Sequence, residues 1–99
     1  GEGDPELGGS LMKMFFYTLS QSDDLPEAVL FMNGGVKLPT LNDQVAGHLC
    51  ELAGKGVDVL VCGTCLNFYG IADKLQVGTV SNMYDIVERM KRAGKVVSL

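Results

Sequence analysis

Cysteine is scarce in this chain, and its count is odd. Three cysteines stand among 99 residues, at positions 50, 62 and 65. An odd number with one close pair does not make a secreted disulfide framework, so a reducing cytoplasm is the expected setting. Basic excess is also lacking: 8 Lys and Arg stand against 12 Asp and Glu, a formal charge of -4. Nothing in that balance attracts phosphate backbones or anionic lipid, which argues against nucleic-acid and membrane-surface roles. No apolar run approaches the ~20 residues needed to span a bilayer, and no basic-then-apolar signal opens the chain. Gly1 and Gly3 read as an added remnant or a cut domain boundary. Catalytic signatures are few too. There is no Ser-His-Asp order, paired carboxylate set, Walker loop or dinucleotide fingerprint, and no cofactor is implied.

What is present is a packed globule. Hydrophobic residues make up 46% of the chain and charged ones 20%, a balance that favours folding over disorder. The length suits a single domain, residues 1–99, burying roughly 65% of the surface of its unfolded chain.

Asp4, Pro5 and Glu6 form a helix start, with a capping carboxylate, proline at the first helical position and an acid near the positive end. Leu7, Leu11, Phe15 and Leu19 then recur every four residues, the stripe of an amphipathic helix. The polar break 22–26 precedes Ala28, Val29, Leu30, Phe31 and Met32, a short continuous apolar run. Such a run fits a strand buried on both faces. Asn33, Gly34 and Gly35 stop it. A second helix is predicted over 41–53, with Val45, Leu49 and Leu52 inward and the glycines at 54 and 56 ending it. Residues 57–61 form the clearest strand and run directly into Cys62-Gly63-Thr64-Cys65.

A short irregular or helical piece over 68–75 and a turn over 78–82 lead to a last helix, capped by Ser81. Met83, Ile86, Val87 and Met90 form its apolar stripe, Lys91 and Arg92 its final turn, and Gly94 its stop. Residues 96–99 read as a terminal strand. Strands alternating with helices require right-handed crossovers and a mostly parallel sheet covered on both faces, a three-layer α/β/α domain.

In open parallel sheets, ligands bind beyond the carboxyl ends of the strands. Two loops answer that description: 33–37, and the CGTC element. The turn 78–82 leads into the last helix from the same edge. This arrangement gathers Cys62, Cys65, Lys37 and the amides of Asn33, Gly34, Gly35, Gly63 and Thr64 at one mouth, with Ser81 and Asn82 beside them. Two cysteines at this spacing can form a dithiol–disulfide couple, or one can carry a persulfide that the other resolves. A thiolate near amide donors or Lys37 would have a lowered pKa and greater reactivity at neutral pH. The blander alternative is packing, because cysteine is among the most buried residues.

Zinc needs four ligands in a closed site, and His48, Cys50, Cys62 and Cys65 supply that number. His48 and Cys50 are two apart on a helix, however, and point to different faces, so no metal site is expected. Cys50 is assigned to the core and His48 to the surface or a helix contact. The glycines of 33–35 are explained equally well by a turn with positive φ. Tyr17, Tyr69 and Tyr84 have no partners visible in the sequence.

The stretch 57–70, VDVLVCGTCLNFYG, followed by Asp73-Lys74-Leu75, Val77-Gly78 and Val80-Ser81-Asn82-Met83-Tyr84, resembles the carboxy-terminal domain of YedF proteins. Glu6-Leu7-Gly8, Leu11-Met12, Phe31-Met32-Asn33 and Gly35-Val36-Lys37-Leu38 resemble it as well. The resemblance implies a DsrE-like fold in a sulfurtransferase-like protein associated with selenium metabolism. Full-length members carry an amino-terminal TusA-like (SirA-like) domain with a Cys-Pro motif. No Cys-Pro occurs here, so that domain is expected to be absent from this chain. Related proteins relay sulfur as cysteine persulfides and assemble into oligomers, although sulfur-relay members do not share the CGTC arrangement. The implied function is a sulfur or selenium carrier, with Cys62 or Cys65 as nucleophile and Lys37 and the Gly34 and Gly35 amides steadying its thiolate. The implied partners are a TusA-like module or another sulfur or selenium carrier, together with further copies of the chain. A second reading is a non-catalytic binding or regulatory domain with structural cysteines that docks such a partner. A redox dithiol enzyme ranks third. DsrE-like domains open with a strand before their first helix, and this sequence opens at the helix. A missing strand leaves unpaired backbone, from which truncation or oligomeric cover is expected.

Overall fold

The computed structural model describes residues 5–94 and 96–98, with side chains described over 9–94. The capping role assigned to Asp4, the start at Gly1 and Gly3, the side chain of Leu7 and the terminal Leu99 lie outside these. The order is α1 (Pro5–Ser20), β1 (Ala28–Phe31), a 3₁₀ turn (Asn33–Lys37), α2 (Leu38–Leu41), α3 (Asp43–Gly54), β2 (Asp58–Cys62), α4 (Gly63–Tyr69), a 3₁₀ turn (Ala72–Lys74), β3 (Thr79–Ser81), α5 (Met83–Arg92) and β4 (Val96–Ser98).

The four strands are parallel and ordered β3-β2-β1-β4. Stepping from β1 to β2 to β3 moves one way across the sheet, and the chain then returns past β1 to β4. Right-handed crossovers therefore place α3 and α4 on one face and α5 on the other. This is the expected three-layer α/β arrangement, and it buries all four residues of β1. Helix α1 lies against α3, and α5 against β2. Phe16 and Phe31, both fully buried, meet in the core with ring centroids 5.9 Å apart.

Several local expectations need correction. The predicted stripe of α1 holds only in part: Leu19 packs against the core, but the positions before it are turned. Phe16 is fully buried and Met12 packs against the core, while Leu11 is 54% and Phe15 39% exposed. The second helix starts two positions later than expected, at Asp43, with Val45, Leu49 and Leu52 inward as predicted; Asn42 takes an extended conformation between α2 and α3, and its side chain accepts the Val45 N–H at 3.0 Å. The turn over 78–82 contains a strand, because Thr79, Val80 and Ser81 pair with Leu60, Val61 and Cys62. Ser81 is thereby committed to the sheet, and Asn82 caps α5 by accepting the Asp85 N–H at 2.8 Å. On α5 only Ile86 of the predicted stripe is buried; Met83, Val87 and Met90 are exposed. The orientation follows from Arg89, which reaches back to Asp58 at 2.9 Å and Glu27 at 3.8 Å and so ties the helix to the starts of β2 and β1. Cys50, assigned to the core, is exposed on α3, because Leu49 and Leu52 take the inward positions. His48 stands half-buried against the Tyr17 ring, a helix contact as expected.

One glycine is fixed by close approach. Gly78 has φ 96°, and a Cβ there would lie 3.0 Å from the Val59 carbonyl oxygen and 2.8 Å from its Cγ1. Glycine at this point lets β3 enter beside β2.

Candidate functional site

Strand β2 ends at Cys62, and the chain turns at once into α4. Cys62 is the last strand residue and precedes the first helical position, so Cys65 falls within the first turn of the helix. Gly63 permits the turn: a Cβ there would meet Val80 Cγ1 at 3.0 Å and the Ser81 carbonyl oxygen at 3.4 Å. Beside it, β1 ends at Phe31, and the chain passes through Asn33 with φ 51°, a left-handed value that asparagine tolerates better than most residues. That conformation aims the Asn33 N–H across the sheet edge, where it donates to Cys65 Sγ at 3.2 Å.

The two cysteines are unequal. Cys62 is 3% exposed and belongs to the core cluster. Cys65 is half-buried and lines a pocket of about 290 Å³ with Asn33, Thr64, Phe68 and Tyr69. They approach each other to 3.1 Å, and both are free thiols. The Cys65 thiol is pushed above its ordinary pKa, first by its hydrogen bond with Cys62 and then by desolvation; the Asn33 N–H pulls the other way. Expectation and structure part here. The sequence reading looks for a thiol primed by lowered pKa, and Cys65 has a reachable sulfur with an amide donor but a raised pKa.

Lys37 is engaged elsewhere. Its ammonium stands over the Tyr69 ring, 4.4 Å from the centroid, as a cation–π contact. Gly34 comes close to the same tyrosine, since a Cβ built on it would lie 3.8 Å from the Tyr69 hydroxyl oxygen. Lys37 thus supports an aromatic wall of the pocket. Gly35 donates its N–H to the Met32 carbonyl at 2.9 Å, closing the 3₁₀ turn. Ser81 is opposite Cys62 in the sheet register, yet it lines a different pocket, between β3 and α5, and Asn82 spends its side chain on the α5 cap.

Of the predicted residues, then, the structure brings Asn33, Thr64 and Cys65 together with Cys62 beneath. Gly34 and Lys37 reach the site through Tyr69, Gly35 and Gly63 shape its backbone, and Ser81 and Asn82 remain apart. Phe68, 81% exposed, and Tyr69 are the lining residues that the sequence reading missed. Their spacing was available as a signal, for positions three and four beyond Cys65 share its helix face. Among the described residues, no cluster of three or more His, Cys, Asp or Glu could hold a metal ion. Nor is any described helix long and apolar enough to cross a membrane.

A three-layer parallel α/β domain with a thiol pair at the carboxyl edge of its strands is the class that fold and site define. The chain belongs to the DsrE/DsrF-like family, whose model matches residues 12–99. That family is generally related to sulfur relay. No curated protein matches the chain, and no solved structure does.

Proposed function

We propose that this chain is a sulfur- or selenium-handling carrier domain of the YedF branch, with Cys65 as the residue that holds a persulfide-type species. The observation that carries the reading is the position of Cys65 Sγ, on a pocket wall and 3.2 Å from the Asn33 N–H. An amide donor at the sulfur favours the thiolate that must form during transfer, and an open pocket admits a donor. Thr64, Phe68 and Tyr69 shape the mouth, with Lys37 and Gly34 behind Tyr69. The raised pKa makes Cys65 a slow nucleophile at rest, one that reacts when a donor is held against it. The partners in this reading are a TusA-like module or another sulfur or selenium carrier in the cytoplasm, with the chain assembled into homo-oligomers.

A second reading draws on the same pKa and on the burial of Cys62: a binding or regulatory domain whose thiols are structural. Incubation with a cysteine desulfurase and cysteine separates the two. A carrier gains the mass of a sulfur atom at Cys65, detected by peptide mass spectrometry in a protein with Cys62 replaced by alanine. No gain at Cys65, while an established carrier is loaded in parallel, removes the carrier reading.

A further inference from the structure

We infer that Cys62 is the resolving thiol of Cys65, so that a loaded domain can discharge its cargo as free sulfide and close a Cys62–Cys65 disulfide. The inference rests on the carrier reading above and adds a release step to it. Its basis is the asymmetry of the pair. Cys65 faces the pocket, and Cys62 lies 3.1 Å from it, 3% exposed and held in the sheet opposite Ser81. Burial keeps donors in solution from Cys62, which leaves the Cys65 sulfur as its reaction partner. The two thiols are in hydrogen-bond contact, and bringing their sulfurs to a bond length of about 2.03–2.05 Å closes the disulfide.

The step balances without an outside oxidant. Cys65 bearing a persulfide has an inner sulfur, its own Sγ, and an outer sulfur directed toward the pocket. Cys62 attacks the inner sulfur from the core side, and its thiol proton passes out by way of the Cys65 contact to the open pocket. The bond between inner and outer sulfur breaks with its electron pair on the outer atom, which leaves as HS⁻ through the pocket. The Cys62 sulfur is oxidised, the outer sulfur is reduced, and one disulfide is formed. Hydrosulfide leaves more easily than an alkyl thiolate because its conjugate acid is the stronger one. A dithiol reductant then restores both thiols. A partner thiol that attacks the outer sulfur first receives the cargo intact, so Cys62 sets how long the loaded state lasts.

The test uses a Cys50→Ser background, because Cys50 is exposed and would itself react. The protein is treated with inorganic polysulfide, desalted, and followed by intact mass, peptide mapping and sulfide trapping. The expected result is conversion of the Cys65 persulfide to a Cys62–Cys65 disulfide with a stoichiometric release of sulfide. The Cys62→Ser and Cys62→Ala variants should retain the persulfide at Cys65. Equal persistence in all three proteins, with no disulfide, overturns the resolving role and leaves the carrier reading standing. Failure of Cys65 to gain sulfur in any of them overturns both. Should neither Cys62 variant fold, the parent protein decides alone, since a lasting persulfide without disulfide contradicts the inference.

Discussion

Asn33 and Cys65, 32 positions apart in sequence, are joined by a backbone N–H that points at a sulfur 3.2 Å away. The contact depends on the left-handed conformation of Asn33, φ 51°. Glycine adopts that conformation without steric cost, and a β-branched residue pays roughly 1–2 kcal/mol for it. Asn33→Gly is therefore expected to keep both stability and the alkylation rate of Cys65. Asn33→Val is expected to lose about 1–2 kcal/mol in urea unfolding. It should also raise the pKa of Cys65 further as the N–H turns away, an outcome read from the pH dependence of iodoacetamide labelling.

Cys62 is the largest cause of the raised Cys65 pKa. Removing it in Cys62→Ala should lower that pKa and speed alkylation of Cys65 severalfold at neutral pH. The same shift fixes the sign of a stability effect. A folded-state pKa above the unfolded value means that folding favours the neutral thiol. That contribution is complete below the unfolded thiol pKa and is lost as pH rises through the folded one. The parent protein should thus lose stability on the alkaline side of the thiol range, and Cys62→Ala should lose less. Urea midpoints across that range check both statements.

Gly70 and Gly78 both have positive φ, at 67° and 96°, but their surroundings differ. A Cβ at Gly70 meets nothing within 4 Å, whereas one at Gly78 runs into the backbone and side chain of Val59. Gly70→Ala, at the end of α4, is expected to cost about 1 kcal/mol for its left-handed conformation alone. Gly78→Ala adds a steric clash to that strain and should cost about 2–4 kcal/mol, because β3 must separate from β2. Thermal unfolding of the two variants side by side measures the difference.

The elements that could be read from the sequence were those with one dominant pattern. Strands β1 and β2 are uninterrupted apolar runs with clear stops, and α3 has a single inward face at Val45, Leu49 and Leu52. Helix α1 was legible as a helix, but its inward face only in part, because it is apolar on more than one side. Leu11 and Phe15 repeat every four residues as well as Met12 and Phe16 do, and only contact with the sheet decides between the two sets. Strand β3 escaped because three residues beside a glycine have no period of their own; they are strand only by pairing with β2. At the site, CGTC announced itself. The role of Lys37 did not, because its partner Tyr69 lies far along the chain and is brought near only by the meeting of the β1 and β2 ends. A cation–π contact leaves no spacing rule in a sequence.

The central claim is that one thiol is reachable and its neighbour is sealed. The most direct measurement is site-resolved labelling of the native protein with iodoacetamide at mildly alkaline pH, followed by peptide mass spectrometry. Exposed Cys50 serves as the internal standard for an unhindered thiol. The account expects label on Cys50 first, on Cys65 more slowly, and on Cys62 only after denaturation. Label absent from Cys65 while Cys50 is fully modified, or reaching Cys62 as readily as Cys65, would contradict it.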